Sequence, residues 1–578
     1  MSSPRRRPWR CCQTRLLTVA SPRRFRLGTR GSRLALVQSQ LVATRLRAEG
    51  VAVDMTTIVA DGDLRAPDTP IGEGIFVTAL ERALVAGEID LAVHSAKDLP
   101  LEDEPALVIA AYPERADARD ALVARGVERS VSDLAIGARV GTDSPRRAGF
   151  LRALRSDLDV VPLHGNVDTR LRRLESGDAD ALVLAAAGLD RLGLGSRIAA
   201  RLDPQSMPPA PAQGALAVQA RRGDREVLAV LARLDDPSVR VAVVAERALL
   251  KAMGGGCRAP VGAMAVQIDG TVAMLAGAVT PDGRSKHVLR MTQDLDGESL
   301  SRSVSAAAHE LNEFVPLRAR AVIDTRPQLD ESEREAMGRE GFRVIRVPTI
   351  AIEPVERGGD LDRAKARISD YDWVVLTSKR GVAALFDGLP APPSTVKWAA
   401  VGATTARALG EHGVRVECVP PSARGDAIPS AMAKAGSLRG CRVLLARADA
   451  ADNALPKKLE ELGAQVDDVV AYRTTTGPAA SRRALVDALS DSEVQAVMFA
   501  SGSAVRGAVA LAGRDVARIR ALHAITIGPK TSGVARELGF QVAAEAATRD
   551  LEGLRAALRR VFDEEVDSWV ASQLQQPA

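Results

Sequence analysis

The chain has 578 residues, of which 26% are charged, 46% hydrophobic and 3% aromatic, with a formal net charge of +5 and five cysteines. That length exceeds a single core and predicts roughly four or five domains. The small surplus of interspersed charge excludes a dedicated nucleic-acid face, and the scarcity of aromatics excludes a base-stacking platform.

No internal apolar run is long enough to cross a bilayer, which predicts a protein without membrane partners. Cysteines 11, 12, 257, 418 and 441 are too scattered for a disulfide framework, and no Cys/His cluster has zinc spacing, so a reducing cytoplasm is expected and no metal. The first 24 residues hold Arg5, Arg6, Arg7, Arg10, Arg15, Arg23 and Arg24 with no acid. They lack the amphipathic period of a transit peptide and read as a disordered basic leader, or as the product of a start codon placed too early.

From Phe25 onward short apolar strands alternate with amphipathic helices, the pattern of α/β layers. Phe25-Arg26-Leu27 opens a strand, and Ser32 caps a helix whose Leu34, Val37 and Leu41 are expected to share its apolar face. Ile89 to Val93 is a strand leading into His94-Ser95-Ala96-Lys97-Asp98. Arg139 to Gly141 leads into Thr142-Asp143-Ser144-Pro145-Arg146-Arg147. Val160 to Leu163 leads through His164-Gly165-Asn166 into a helix with Val167, Leu171 and Leu174 on one side. The polar motifs thus fall where strands end and helices begin, the ligand-facing edge of an open α/β sheet, where helix N-termini offer free N–H groups to anions.

Arg30, Arg146, Arg147, Arg170 and Arg191 all lie at or near such junctions. Guanidinium groups grip carboxylates bidentately and keep their charge, so a converging set implies a ligand with several carboxylates or phosphates. No P-loop or dinucleotide fingerprint follows a strand in this half, which disfavours nucleotides. Asp98, after Lys97, is placed to stabilise a cation developing on a substrate, while His94 reads equally as a loop histidine or a catalytic one. Further on, the apolar run Val241 to Met253 ends in Gly254-Gly255-Gly256-Cys257, which sets a lone thiol on a turn whose backbone can approach a bulky group.

After Leu311-Asn312-Glu313 a second region repeats itself. Val322 to Arg326 recurs as Val443 to Arg447, Val374 to Ser378 as Val497 to Ser501, and Val401 to Thr405 as Ile527 to Thr531. The nearly constant offset marks a tandem duplication, expected to give two similar α/β domains facing each other across a cleft. Val347 to Glu353 and Val469 to Thr475 read as strands without helices, suited to connect the two.

Ala92-Val93-His94-Ser95-Ala96-Lys97-Asp98-Leu99-Pro100, with Gly141 to Arg147, His164 to Arg170, Gln213-Gly214 and Gly255-Gly256-Cys257, resembles the hydroxymethylbilane synthase (porphobilinogen deaminase) family. The likeness covers roughly Arg26 to Glu313. It implies two solute-binding-protein-like α/β domains (about 25–114 with 215–232, and 120–208) plus a small α+β domain (237–313). It further implies a dipyrromethane cofactor linked covalently to Cys257, with Asp98 and Lys97 catalytic and Ser144, Arg146, Arg147, Lys97 and Asp98 holding the cofactor. Arg30, Ser32, Arg170 and Arg191 would bind substrate. Three positions depart from the family by removing positive charge: Glu73 and His164 replace a lysine and an arginine, and Asp61 replaces an arginine.

The region from about Leu317 to Phe562 is similar to uroporphyrinogen-III synthase through Thr325-Arg326-Pro327, Thr377-Ser378-x-x-Gly381-Val382, Val470 to Thr474 and Ser501 to Val505. That likeness implies two α/β domains joined by a two-stranded linker (317–352 with 477–562, and 353–473) and a tail at 563–578. Tyr472 is then the candidate acid, or a packed tyrosine, and Thr377, Ser378, Ser501, Ser503 and Thr531 are candidates to bind substrate carboxylates. The two resemblances together imply a monomeric bifunctional tetrapyrrole enzyme acting on porphobilinogen and hydroxymethylbilane. The rival readings are a deaminase with a non-catalytic second half and a two-lobed polycarboxylate-binding protein.

Overall fold

A computed structural model describes residues 23–59, 75–102, 104–256, 259–315, 320–328, 330–389, 391–421, 425–449, 451–491 and 493–575. Cys257, Asp61, Glu73 and all of the leader except Arg23 and Arg24 lie outside the described residues. The chain forms two compact units. One comprises Met1–Ala319, Arg339–Gly341 and Phe562–Ala578; the other comprises Arg320–Gly338 and Phe342–Val561. No helix among the described residues is long and apolar enough to cross a membrane.

The first unit contains strands β1 (Phe25–Thr29), β2 (Val53–Thr57), β3 (Leu91–Ser95), β4 (Leu107–Ala111), β5 (Asp120–Ala124), β6 (Arg139–Gly141), β7 (Asp159–Val161), β8 (Ala181–Ala185), β9 (Ala200–Arg201), β10 (Leu216–Arg221), β11 (Val261–Ile268), β12 (Thr271–Val279) and β13 (Lys286–Asp294). Two five-stranded sheets share one plan, β2-β1-β3-β10-β4 and β7-β6-β8-β5-β9. In each the first three strands are parallel and the fourth runs antiparallel to its neighbours. The chain leaves the first sheet after β4 and enters the second on β5; it leaves the second after β9 and returns on β10. The two crossing segments meet where the Ala116 N–H donates to the Gly214 carbonyl (3.2 Å). Gly214 has φ +86°, and a Cβ there would lie 2.4 Å from the Ala116 oxygen, so only glycine fits.

The third sheet is an antiparallel meander, β11-β12-β13, covered by the helices Pro237–Ala252 and Gly297–Phe314. Glu246, fully buried in the first of these helices, accepts from both Arg115 terminal nitrogens (2.7 and 2.9 Å) and from the N–H groups of Ala212 (2.6 Å) and Ala265 (2.7 Å). One carboxylate therefore fastens this small domain to both crossing segments.

Three sequence expectations change here. The helix Arg33–Ala48 buries Gln38, Ser39, Val42, Ala43 and Leu46, whereas Leu41 is 46% exposed. Leu34 instead packs beside Gly188 of the helix Ala186–Arg191, so the Leu34/Val37/Leu41 stripe is not the sheet-facing side. Gln38 can occupy that side because its amide pairs with Ser95 Oγ (3.0 Å). Arg23 and Arg24, assigned to the leader, are part of the fold: Arg23 pairs with Asp90, Asp224 and Glu226, and Arg24 with Asp54. The expected tail is helical, within Leu551–Leu574, and from Phe562 onward it belongs to the first unit.

The second unit contains β14 (Arg320–Asp324), β15 (Phe342–Arg346), β16 (Ile350–Pro354), β17 (Trp373–Leu376), β18 (Lys397–Ala400), β19 (Val416–Cys418), β20 (Arg442–Ala448), β21 (Gln465–Thr476), β22 (Val494–Phe499), β23 (His523–Thr526) and β24 (Val542–Glu545). Its sheets run β15-β14-β22-β23-β24 and β16-β21-β20-β17-β18-β19. Apart from the added β16 the orders superpose, with β14 matching β20, β22 matching β17 and β23 matching β18. The duplicated segments therefore do not each build one domain; every sheet takes strands from both copies. The ends of β16 and β21 pair antiparallel, from Ile350 with Thr476 to Pro354 with Tyr472.

Candidate active sites

In the first unit the expected site residues gather at strand ends. Ser32 caps the helix Arg33–Ala48 by accepting from the Ala35 N–H (3.3 Å), with half-buried Arg30 just before it at the end of β1. Lys97 and Asp98 occupy the single 3-10 turn that follows β3, and Asp98 is exposed. Ser144 caps the helix Pro145–Leu154 by accepting from the Arg147 N–H (3.4 Å). That helix turns Arg146 and Arg147 inward, where they are 2% and 6% exposed.

Both guanidinium groups converge on Asp120, the first residue of β5. Arg146 donates to Asp120 Oδ2 (2.7 Å) and to the Pro208 carbonyl (2.6 Å). Arg147 donates to Asp120 Oδ1 through Nε (3.0 Å) and Nη2 (2.8 Å), and to the Val183 carbonyl (3.1 Å). Burial alone would raise the Asp120 carboxyl, but the two guanidinium groups outweigh it and hold the group far below the usual carboxylate range. Gln213, on the second crossing segment, completes the cluster. Its amide donates to Asp120 Oδ1 and the Ala118 carbonyl (both 2.8 Å), and its oxygen accepts from Lys97 Nζ and Arg147 Nη2 (both 3.2 Å). Desolvation pushes the Lys97 ammonium down to about 8, aided by Arg147 and Arg146 and opposed by Asp98 and Asp120.

Arg170 and Arg191 differ from this pair. Arg170 donates to the Gly165 carbonyl (2.7 Å) and Arg191 to the Gly214 carbonyl (2.6 Å), and neither has an ion-pair partner within 4.0 Å among the described residues. Burial pushes both down to about 10. A partly desolvated cation with no carboxylate in direct contact gains from an arriving one, so these two side chains fit a ligand with several acid groups, Asp143 acting on Arg170 only at a distance. His164 lies with Nδ1 2.8 Å from Asp143 Oδ1. His94 is a core histidine: it is 5% exposed, pairs through Nε2 with Gln219 Oε1 (3.0 Å), and is pushed down to about 4 by burial. Just ahead of Cys257, Gly254 (φ +66°) and Gly255 close the helix Pro237–Ala252 by donating to the Lys251 and Leu250 carbonyls.

Asp120, the centre of this cluster, is not among the residues the sequence singles out, and Gln213 carries no assigned role there. The available signal was an acid opening an otherwise apolar strand, Asp120-Ala-Leu-Val-Ala124, and such an acid needs buried cations.

In the second unit a cavity of about 540 Å³ is lined by Thr325, Arg326, Lys379, Arg380, Ser501 and Ala504, among others. Ser501 caps the helix Gly502–Ala512 by accepting from the Ala504 N–H (3.2 Å), and Lys379 and Arg380 open the helix Lys379–Phe386. Ser378 caps that helix and its Oγ lies 3.1 Å from the Tyr472 hydroxyl. Thr377 and Ser503 are half-buried at the same helix starts. Thr531 is only 5% exposed inside the helix Pro529–Glu537, so its hydroxyl is less open to a ligand than expected. Lys379 and Arg380 are the two residues passed over as the variable pair in Thr377-Ser378-x-x-Gly381. They supply cavity charge beside Arg326, whose guanidinium pairs with Asp324 (2.7 Å) and Glu333 (3.1 Å).

The fold and these sites define an α/β enzyme of two dissimilar halves, the first built around converging cations and the second around capped helix starts. The model described as "Porphobilinogen deaminase, dipyromethane cofactor binding domain" matches residues 25–229, and that described as "Porphobilinogen deaminase, C-terminal domain" matches 241–310. The porphobilinogen deaminase of Acidothermus cellulolyticus is 48% identical over 301 residues, covering 50% of this chain and 90% of that protein. That of Roseiflexus castenholzii is 50% identical over 291 residues, covering 49% and 94%. The chain belongs to the porphobilinogen deaminase family. Residues 331–556 match the model "Uroporphyrinogen-III synthase HemD". A crystal structure of a mutant uroporphyrinogen III synthase from Thermus thermophilus is 21% identical, covers 43% of this chain and all of that one, and gives a TM-score of 0.32. The assignment of the second half rests on the family model. The protein is thus a bifunctional enzyme of tetrapyrrole biosynthesis, with porphobilinogen deaminase (hydroxymethylbilane synthase) and uroporphyrinogen-III synthase activities and a dipyrromethane-cofactor domain.

Proposed function

We propose that the first unit holds its dipyrromethane through Cys257 and binds the acetate and propionate groups of cofactor and substrate with Lys97, Ser144, Arg146, Arg147, Arg170, Arg191, Arg30 and Ser32. The observation that carries this reading is the contrast between the buried, Asp120-paired arginines and the two half-buried guanidinium groups, Arg170 and Arg191, which have no ion-pair partner within 4.0 Å among the described residues. Bound, the dipyrromethane supplies the terminal pyrrole carbon on which the chain is built. The exposed Asp98 carboxylate stabilises the cation that forms as ammonia departs from each porphobilinogen and a carbon–carbon bond replaces the carbon–nitrogen one. Gln213 and Asp120 keep Lys97 and the arginine pair in register for the ligand's acid groups.

In the second unit, loss of the bilane hydroxyl and ring closure with inversion of the last ring need a carboxylate-binding cavity and one proton donor. Lys379, Arg380, Ser501 and the N–H groups at two helix starts suit the first task, with Thr377, Ser378 and Ser503 beside them in sequence and Thr531 in a third helix, Pro529–Glu537. Tyr472, aligned by Ser378, suits the second. The sheet memberships support the division into three domains in the first half and two in the second. We also read the chain as a cytoplasmic monomer without nucleic-acid or membrane partners, in keeping with its interspersed charge and its free Cys418 and Cys441.

The intact mass of the purified protein beside its Cys257→Ser variant tests the cofactor site. A gain equal to two linked pyrroles in the wild type alone supports it. An equal gain in the variant places the attachment elsewhere.

A further inference from the structure

The first unit contains a piece of chain that lies beyond both family matches. Within the helix Leu551–Leu574, Val566, Trp569 and Val570 are buried in the core of the small third domain, against Leu300, Val304, Ala308 and Leu311. Polar contacts accompany this packing: Asp567 accepts from Ser301, the Gln573 carbonyl accepts from Arg240 (3.5 Å), and Asp563 lies 3.4 Å from His309. An amphipathic stripe at helical spacing has thus been sequestered by the deaminase unit.

What Trp569 touches gives this a functional reading. Its ring faces the Arg247 guanidinium, 5.8 Å from centroid to Cζ. Arg247, 4% exposed, donates to the carbonyls of Ala96 (3.2 Å), Leu99 (3.1 Å) and Pro100 (2.7 Å), the backbone on either side of Asp98. Leu101, which ends this segment, packs on the same apolar cluster as Trp569. Three carbonyls held by one buried cation fix the turn, and an aromatic face fixes the cation.

We propose that the C-terminal segment from Phe562 to Leu574 is a working part of the deaminase. Trp569 is a positioning residue that, through Arg247, holds the Ala96–Leu101 turn and so sets the place of Asp98. The proposal rests on the assignment of Asp98 as the charge-stabilising carboxylate.

The test uses the full chain with Trp569→Leu, which keeps apolar bulk but loses the ring face, and Trp569→Phe, which restores a ring. Rates are normalised to the cofactor-loaded fraction measured by mass. Three readouts are taken: amide exchange over residues 96–101, deaminase kcat and KM, and synthase activity with hydroxymethylbilane supplied. In the leucine variant, exchange at 96–101 rises and kcat falls, each by about fivefold to tenfold for a lost cation–π contact. KM and the synthase rate stay within about twofold, and the phenylalanine variant recovers most of the loss. Unchanged exchange at 96–101, or faster exchange confined to the helix Gly297–Phe314 with normal kcat, overturns the proposal. Asp98→Asn keeps the two ideas apart: full activity in that variant sinks the assignment of Asp98, whatever exchange in the turn shows.

Discussion

In the first unit, Lys97, Arg146 and Arg147 are drawn to one buried carboxylate and one amide, with Arg170 and Arg191 half-buried and lacking an ion-pair partner within 4.0 Å among the described residues. In the second, the cavity is lined by hydroxyls, helix starts and side chains that keep contact with solvent. The difference follows the chemistry. A site that retains a growing polycarboxylate through several condensations needs many permanent cations, and burying them requires a counter-ion built into the fold. A site that binds one such molecule, expels a hydroxyl and closes a ring can rely on oriented dipoles and a few exposed charges.

The largest break in this comparison comes from Asp98→Asn. Deaminase kcat is expected to fall by about 10²–10³, as for loss of one electrostatic stabiliser. Synthase turnover of supplied hydroxymethylbilane stays at the wild-type rate in the same preparation. Asp120→Asn removes the counter-ion and leaves two buried guanidinium groups unpaired. The first unit is expected to lose about 3 kcal/mol or more, read from its denaturant midpoint, while the second unit's midpoint is unmoved.

A smaller effect, on the other side of the comparison, is expected of Tyr472→Phe. Synthase kcat falls by about tenfold or more through loss of an acid, with deaminase kinetics intact; an unchanged kcat reduces the residue to packing. The pH dependence is smaller still. Because burial has pushed Lys97 down to about 8, its charge is present below that pH and lost above it. Deaminase turnover should decline as pH rises through about 8, and Lys97→Arg, whose charge persists, should shift that limb upward. Product formation from supplied hydroxymethylbilane is the reference for the same pH series.

Much of the plan was legible from sequence because strand ends and helix caps are local. Ser32 caps the helix its position suggested, and Ser144, Ser378 and Ser501, singled out as ligand-binding candidates, also prove to be helix caps. What was not legible depends on distant partners. The side of the helix Arg33–Ala48 that faces the sheet is decided by Gln38 finding Ser95, not by leucine spacing. Asp120 and Gln213, 93 residues apart, acquire meaning only when the two crossing segments meet. The duplication was visible as repeated strands, but repetition does not say that β14 and β22, from different copies, lie side by side. The last helix looked like a tail because its apolar partners, Leu300 to Leu311, precede it by more than 250 residues.

The central claim is that one chain performs both steps, and isomer analysis of the tetrapyrrole made by the full-length protein from porphobilinogen alone tests it most directly. Uroporphyrinogen III as the main product is the expected result. Uroporphyrinogen I alone would contradict the claim, leaving a deaminase joined to a half that does not cyclise.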